Sequence, residues 1–188
     1  MMKYNYIQVS KLVSYILRHR PDKFSLALDD HGFLFCEDLI DVLQKRFPVF
    51  DANDLGTLIE HDKKGRFQMR GDKIRAAYGH SIEVLPVSTE VTPPSNLYHG
   101  TSQEVIEKIK TKGICSMNRQ FVHLSVSQDD AKQVALRRTD NPIILEILAL
   151  EAHQQGRVFY QESHIFLTAH VPLDFIVFPR CNILSPHI

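Results

Sequence analysis

Apolar residues at Val9, Leu12, Val13 and Ile16 recur at the spacing of one buried helix face. Ser10 stands where an N-cap is expected, and Pro21 stops the helix with Arg18 and His19 in its last turn. The same period over Leu39, Ile40, Val42 and Leu43 predicts a second helix. A third is predicted from Asn53, burying Leu55, Leu58 and Ile59. The period then changes: Arg66–Arg70 and Lys73–Ala76 flank Gly71-Asp72 and predict a β-hairpin. Three short helices before a basic hairpin predict a winged-helix-like lobe over residues 1–85.

Residues 86–94 carry Pro86, Pro93 and Pro94 among small polar residues, so they can neither continue a helix nor fill a central strand. We expect a linker there and a second lobe over residues 95–188. Leu97-Tyr98-His99 reads as a strand feeding Gly100. Thr101 to Glu104 then has the S/T-x-x-E form of a capping box. Val105, Ile106 and Ile109 supply that helix's buried stripe, and Gly113 its stop. Val122–Ser125 reads as a strand before a helix capped near Ser127. Ile143–Ala149, Phe159-Tyr160, Ile165–Thr168 and Phe175–Phe178 add strands. Two helices for five or six short strands predict a curled or split sheet, and an α+β chain overall.

Composition narrows the function classes. The 188 residues carry 22 Lys and Arg against 22 Asp and Glu, so no global field attracts nucleic acid, and a polyanion must be met by a local patch. One candidate runs from Asp62 to Arg75, where Lys63, Lys64, Arg66, Arg70, Lys73 and Arg75 face Asp62 and Asp72; a solvated hairpin explains it equally well. Cys36, Cys115 and Cys181 form no CxxC pair, which argues against a disulfide framework or a zinc knuckle and for a reduced, cytoplasmic protein. The ten histidines show no HExxH or other tight ligand spacing, so no metal is expected. No apolar run reaches 18 residues, and no membrane partner is expected.

The chemistry-bearing residues are clustered. Arg18-His19-Arg20-Pro21, Arg75 with Gly79-His80-Ser81 close behind, and Arg119 to His123 each adjoin apolar sequence, where an unpaired guanidinium is costly to desolvate. Planar forks of donors suit phosphate oxygens better than a core. We therefore read a site for a phosphate dianion. Arg20 is better explained by a surface pair with Asp22, Arg66 and Arg70 by a polyanion backbone or solvent, and Arg137-Arg138 by the end of a helix. In the second half, His99-Gly100-Thr101 ends a strand, and His123 and Ser125 alternate along another. A slot lined by imidazoles and glycine backbone and a pair of satisfied core histidines are equal readings on spacing alone.

Five motifs in order resemble one family. They are Leu17-Arg18-His19-Arg20-Pro21, Ile74-Arg75-Ala76 with Gly79-His80-Ser81, Leu97-Tyr98-His99-Gly100-Thr101, Arg119-Gln120 with Val122-His123-Leu124-Ser125, and Leu167-Thr168 with His170-Val171-Pro172. Together they resemble the NAD-dependent RNA 2′-phosphotransferases, best known from tRNA splicing. The resemblance implies an N-terminal winged-helix lobe and a C-terminal lobe with the NAD-binding fold of ADP-ribosyltransferases. It implies a catalytic set at Arg18, His19, Arg75 and Arg119. It also implies a nicotinamide-ribose pocket at His99, Gly100, Thr101, His123 and Ser125, closed by Ile165. Departures fall at Tyr78, where glutamine is usual, at Phe121, at Ser163-His164-Ile165-Phe166 and at Ala169.

The resemblance implies a two-step reaction on RNA with an internal 2′-phosphate, with NAD+ as co-substrate; we expect a monomer. The phosphate attacks the nicotinamide-bearing ribose carbon, giving ADP-ribosylated RNA. A neighbouring ribose hydroxyl then attacks phosphorus, releasing 2′-OH RNA and ADP-ribose 1″,2″-cyclic phosphate. A phosphate monoester is already anionic at neutral pH, so the first step needs no general base. The rival reading is an ADP-ribosyltransferase acting on protein or another phosphorylated acceptor. Many of those enzymes place a glutamate in the pocket; Ile165–Thr168 offers none, and Glu162 precedes that strand by three residues.

Overall fold

A computed structural model describes residues 4–179, so Cys181 lies outside the described residues. The elements follow in the order α1 (Tyr6–Arg18), β1 (Leu34–Phe35), α2 (Cys36–Gln44), α3 (Ala52–Glu60), β2 (Phe67–Arg70), β3 (Lys73–Ala76), β4 (Asn96–Thr101), α4 (Gln103–Lys112), β5 (Ile114–Cys115), β6 (Val122–Ser125), α5 (Gln128–Ala135), β7 (Ile143–Leu148), α6 (Ala149–Gln154), β8 (Tyr160–Glu162), β9 (Ile165–Thr168), β10 (His170–Val171) and β11 (Ile176–Val177). The chain is α+β. It forms two compact units. The first holds the described residues up to Thr89 together with Met117–Phe121 and Gln161–His164; the second holds Glu90–Ser116, Val122–Tyr160 and the described residues from Ile165.

In the first unit Val9, Val13, Ile16 and Leu17 form the buried stripe of α1 and pack with Leu39 and Leu43 of α2 and Leu55 of α3. The cap of α1 is not Ser10. The helix starts earlier, Asn5 accepts the Ile7 amide at 2.9 Å, and Ser10 is buried mid-helix. α3 has a reciprocal capping box, in which Asp51 and Asp54 each accept the other's amide. The hairpin is antiparallel, with Phe67 opposite Ala76 and Arg70 opposite Lys73, and β1 adds to its other side to give the order β1-β3-β2.

The second unit is built on a sheet in which β11, β7, β4, β6 and β9 follow in that order, with β10 and β5 paired separately. Its core gathers Leu97, Leu124, Leu145, Ile147 and Phe166 from the strands with Ile106 and Ile109 from α4. The strand at β4 runs through Gly100 and Thr101, so the expected capping box does not form. Ser102 occupies the N-cap of α4 and makes no side-chain cap bond. Ser127 caps α5 by accepting the Asp130 amide, and Gly113 ends α4 at φ +69°.

Candidate functional site

Arg18, His19, Arg75 and Arg119 all fall in the first unit. Arg18 is the last residue of α1, and its guanidinium lies 5.1 Å from the centroid of the Tyr78 ring. Gly79, at φ +91°, lets the chain pass closely: a Cβ there would stand 3.4 Å from the Arg18 guanidinium carbon. Burial lowers the Arg18 guanidinium to about 10, with Tyr78 opposing the shift and Arg119 adding to it. His19 is lowered by burial and by the charges of Arg18 and Arg119. Its Nδ1 is hydrogen-bonded to Ser81 Oγ at 2.9 Å, while the Ser81 amide donates to the Arg18 carbonyl at 3.0 Å.

Arg75 is 1% exposed. Its Nε donates to the Ala76 carbonyl at 3.0 Å and its Nη2 to the Ala77 carbonyl at 3.1 Å; Nη2 also lies 3.6 Å from Glu162 Oε2. Glu162, itself buried, accepts the amides of Val87 at 2.9 Å and Ser88 at 3.2 Å. His80 is buried between these groups. Burial and the charges of Arg75, Arg18 and His19 hold its imidazole down to about 3, so it is neutral at pH 7.

Arg119 is positioned by its neighbour. Gln120 Nε2 donates to the Val84 carbonyl at 2.7 Å and its Oε1 accepts the Val84 amide at 3.2 Å, while the Gln120 amide donates to the His80 carbonyl at 3.0 Å. These bonds fix residues 117–121 beside the His80 turn, where the charge of Arg119 reaches Arg18 and His19. Arg18 Nε, Arg18 Nη2 and Arg75 Nη1 are buried without a hydrogen-bond acceptor among the described residues. Buried donors without partners are rare and costly. In a cluster of cations they fit an anion with several oxygens.

The second unit holds His99, Gly100, Thr101, His123, Ser125 and Ile165. β4 pairs with β7 over six positions but with β6 only where Tyr98 meets Ser125. Next to that single pair the His99 imidazole, not the main chain, reaches across: its Nδ1 donates to the His123 carbonyl at 3.1 Å. A carbonyl only accepts, so Nδ1 carries the proton. Ile165 stands directly across from Ser125 on β9, and both are buried. Gly100 has a different use. A Cβ there would come within 2.3 Å of the Ala131 carbonyl and 2.8 Å of Ala135 Cβ, so its missing side chain makes room for α5. By strand alternation that is the face opposite His99 and Thr101.

Tyr78, Ser81, Gln120 and Glu162 contribute to the arginine cluster without standing among the sequence-predicted site residues. Tyr78 was visible as a departure from the family pattern, and its hydroxyl donates to the Lys64 carbonyl at 2.7 Å. Ser81 and Gln120 stood inside the quoted motifs without an assigned role, and Glu162 was weighed only as a pocket glutamate.

A family model described as RNA 2′-phosphotransferase, Tpt1 / KptA family, matches residues 5–170. The chain belongs to the RNA 2′-phosphotransferase family. It is 42% identical over 170 residues to the probable RNA 2′-phosphotransferase of Rhizobium rhizogenes, covering 90% of this chain and 91% of that protein. The probable RNA 2′-phosphotransferase of Pyrococcus horikoshii is 37% identical, covering 90% of this chain and 96% of its own. That of Bacillus thuringiensis subsp. konkukian is 39% identical over 174 residues, covering 91% and 94%. Among the described residues no helix is long and apolar enough to cross a membrane.

Proposed function

We propose that this RNA 2′-phosphotransferase removes an internal 2′-phosphate from RNA by transferring it to NAD+, leaving a 2′-OH, with nicotinamide and an ADP-ribose cyclic phosphate as the other products. The observation that carries the reading is the set of acceptor-free, buried guanidinium nitrogens on Arg18 and Arg75. Phosphoryl transfer depends on positioning and charge neutralisation, which planar cations supply. Arg18, Arg75 and Arg119 clamp the phosphate in this scheme. His19, with Nδ1 engaged by Ser81, has Nε2 to take the proton of the attacking hydroxyl and return it to the departing RNA 2′-oxygen.

His99, Thr101, His123, Ser125 and Ile165 are the residues we assign to NAD+. A fixed imidazole tautomer and a buried serine opposite an isoleucine suit a ligand with both an amide and an apolar ring face. Bound there, NAD+ supplies an electrophilic ribose carbon and the neighbouring hydroxyl. Gly100 supports this site by admitting α5. The rival, protein-modifying reading loses Glu162 as its pocket glutamate, because that carboxylate is spent on Arg75 and two backbone amides.

The test is an oligonucleotide with one internal 2′-phosphate, incubated with and without NAD+. Phosphate loss should require NAD+. Arg18→Ala and Arg119→Ala should each lower single-turnover release on the order of 10²–10³, as for one oxyanion-hole donor. Turnover within about threefold of wild type in either variant, or label appearing on protein instead of RNA, would overturn the assignment.

A further inference from the structure

The first unit has a cavity of about 360 Å³ away from the arginine cluster. Its walls come from α1, from the 3-10 turn Pro21–Phe24 and from the end of α2. Leu12, Phe24 and Val42 give it an apolar floor, and Lys23, Lys45 and Arg46 line it with positive charge. We propose that this cavity is a second RNA subsite, holding the sugar-phosphate backbone of the same strand a few nucleotides from the 2′-phosphate. The proposal rests on the RNA reading above.

The charge accounting singles out this place. The basic run of the hairpin looked stronger in the sequence, but half of it is neutralised: Arg66 pairs with Asp62, Lys73 with Asp29 and Arg75 with Glu162. Lys23, Lys45 and Arg46 form no ion pair with the described residues. The carboxylate next to Lys23, Asp22, is held bidentately by Arg20, and Asp41, one turn before Lys45, does not reach it. Cations beyond a helix end suit the dipole of α2, which accounts for Lys45 and Arg46 but not for Lys23 on a separate turn. Three cations without a carboxylate partner, Arg46 lying 5.8 Å over the Phe47 ring, stand on two elements around one open, partly apolar cavity and match a phosphodiester strand rather than a single buried anion. Phosphate contacts of this kind set register without reading sequence.

The cavity is tied to the cluster through aromatic contacts. Phe24 lies edge-on to Tyr15 at 6.4 Å, and Tyr15 packs on the His19 ring at 6.2 Å. A strand crossing this short span can engage the cavity while its 2′-phosphate meets the arginines.

The experiment compares two substrates: a single-stranded oligonucleotide running several nucleotides past its 2′-phosphate, and a dinucleotide carrying the same group. Wild type should prefer the long substrate in kcat/KM. Changing Lys23, Lys45 and Arg46 together to Ala should collapse that preference. It should also flatten the slope of log affinity for the oligonucleotide against log salt by about 2, from three lost single-strand phosphate contacts. A triple Lys23→Glu, Lys45→Glu, Arg46→Glu variant should carry the loss further. An active wild type whose preference and slope survive the Ala changes would overturn the subsite alone. A wild type that releases phosphate from neither substrate would sink the RNA reading and the subsite with it. The changed residues are exposed, and an unaltered thermal unfolding curve verifies that the fold is intact.

Discussion

Around Arg18 and Arg75 three guanidinium nitrogens are buried without an acceptor among the described residues, whereas at the β4–β6 split the His99 imidazole already donates to a main-chain carbonyl. The first region concentrates charge and leaves part of it unsatisfied. The second uses neutral side chains, a fixed tautomer and close strand packing. A site that holds a dianion gains from donors kept apart from protein acceptors, since ligand oxygens then meet no competitor. A site for a dinucleotide needs shape first and a few oriented polar atoms second. The two regions should therefore fail in different ways when altered.

The largest effect should fall on Arg75, which belongs to both the cluster and the scaffold. Arg75→Met strands the buried Glu162 carboxylate, and removing one member of a buried pair costs about 3–5 kcal/mol. Urea unfolding should register that loss, and adding Glu162→Gln, which removes the charge but keeps an acceptor for the Val87 and Ser88 amides, should recover most of it while leaving catalysis impaired. If the single variant loses less than about 1 kcal/mol, Arg75 is not part of the scaffold and the contrast between regions sharpens to chemistry alone.

What the sequence disclosed divides along similar lines. The α1 period, the hairpin around Gly71, the Ser127 cap and the Gly113 stop were legible because each depends on residues a few positions apart. Ser10 is a good cap by type, yet its helical neighbours bury it and Asn5 takes the role, so the first helix begins before the position its cap signal predicts. Thr101 misled for a similar reason: pairing with Ile143 extends β4 through it and moves the helix start onward. Within the site, Arg18, His19, Arg75 and Arg119 were found by residue type and motif order. The pairings that support them were not. Ser81 lies 62 residues from His19, and Glu162 lies 75 from Val87, separations at which no local pattern operates.

A smaller effect tests the second region. Gly100→Ala would drive a methyl group against the Ala131 carbonyl and Ala135 of α5, and overpacking of this kind costs about 1–3 kcal/mol. The loss should appear as a lower Tm with α5 displaced. A variant that keeps wild-type Tm but fails to bind NAD+ would instead make Gly100 a direct ligand contact, and the two regions would differ less than their geometry indicates.

The gentlest probe is pH, and it reads the charge density of the first region directly. His80 is neutral in the folded protein because burial, Arg75, Arg18 and His19 disfavour its cation, holding its folded value at about 3 against 6.5 for a free imidazole. The unfolded chain therefore binds the extra proton first. The stability that His80 contributes is fully present above about 6.5 and drains away as pH falls toward about 3, by at most about 1.4 kcal/mol per pH unit for one proton. His80→Gln removes that titration while keeping a polar side chain. The gap in unfolding free energy between wild type and variant should thus shift against wild type as the pH drops, at close to one proton's slope. Carboxylates shared by both proteins cancel in the difference. A gap that stays flat down to about pH 4 would mean that His80 accepts its proton as readily in the folded protein as in the unfolded chain, and that burial and the neighbouring cations do not hold it neutral.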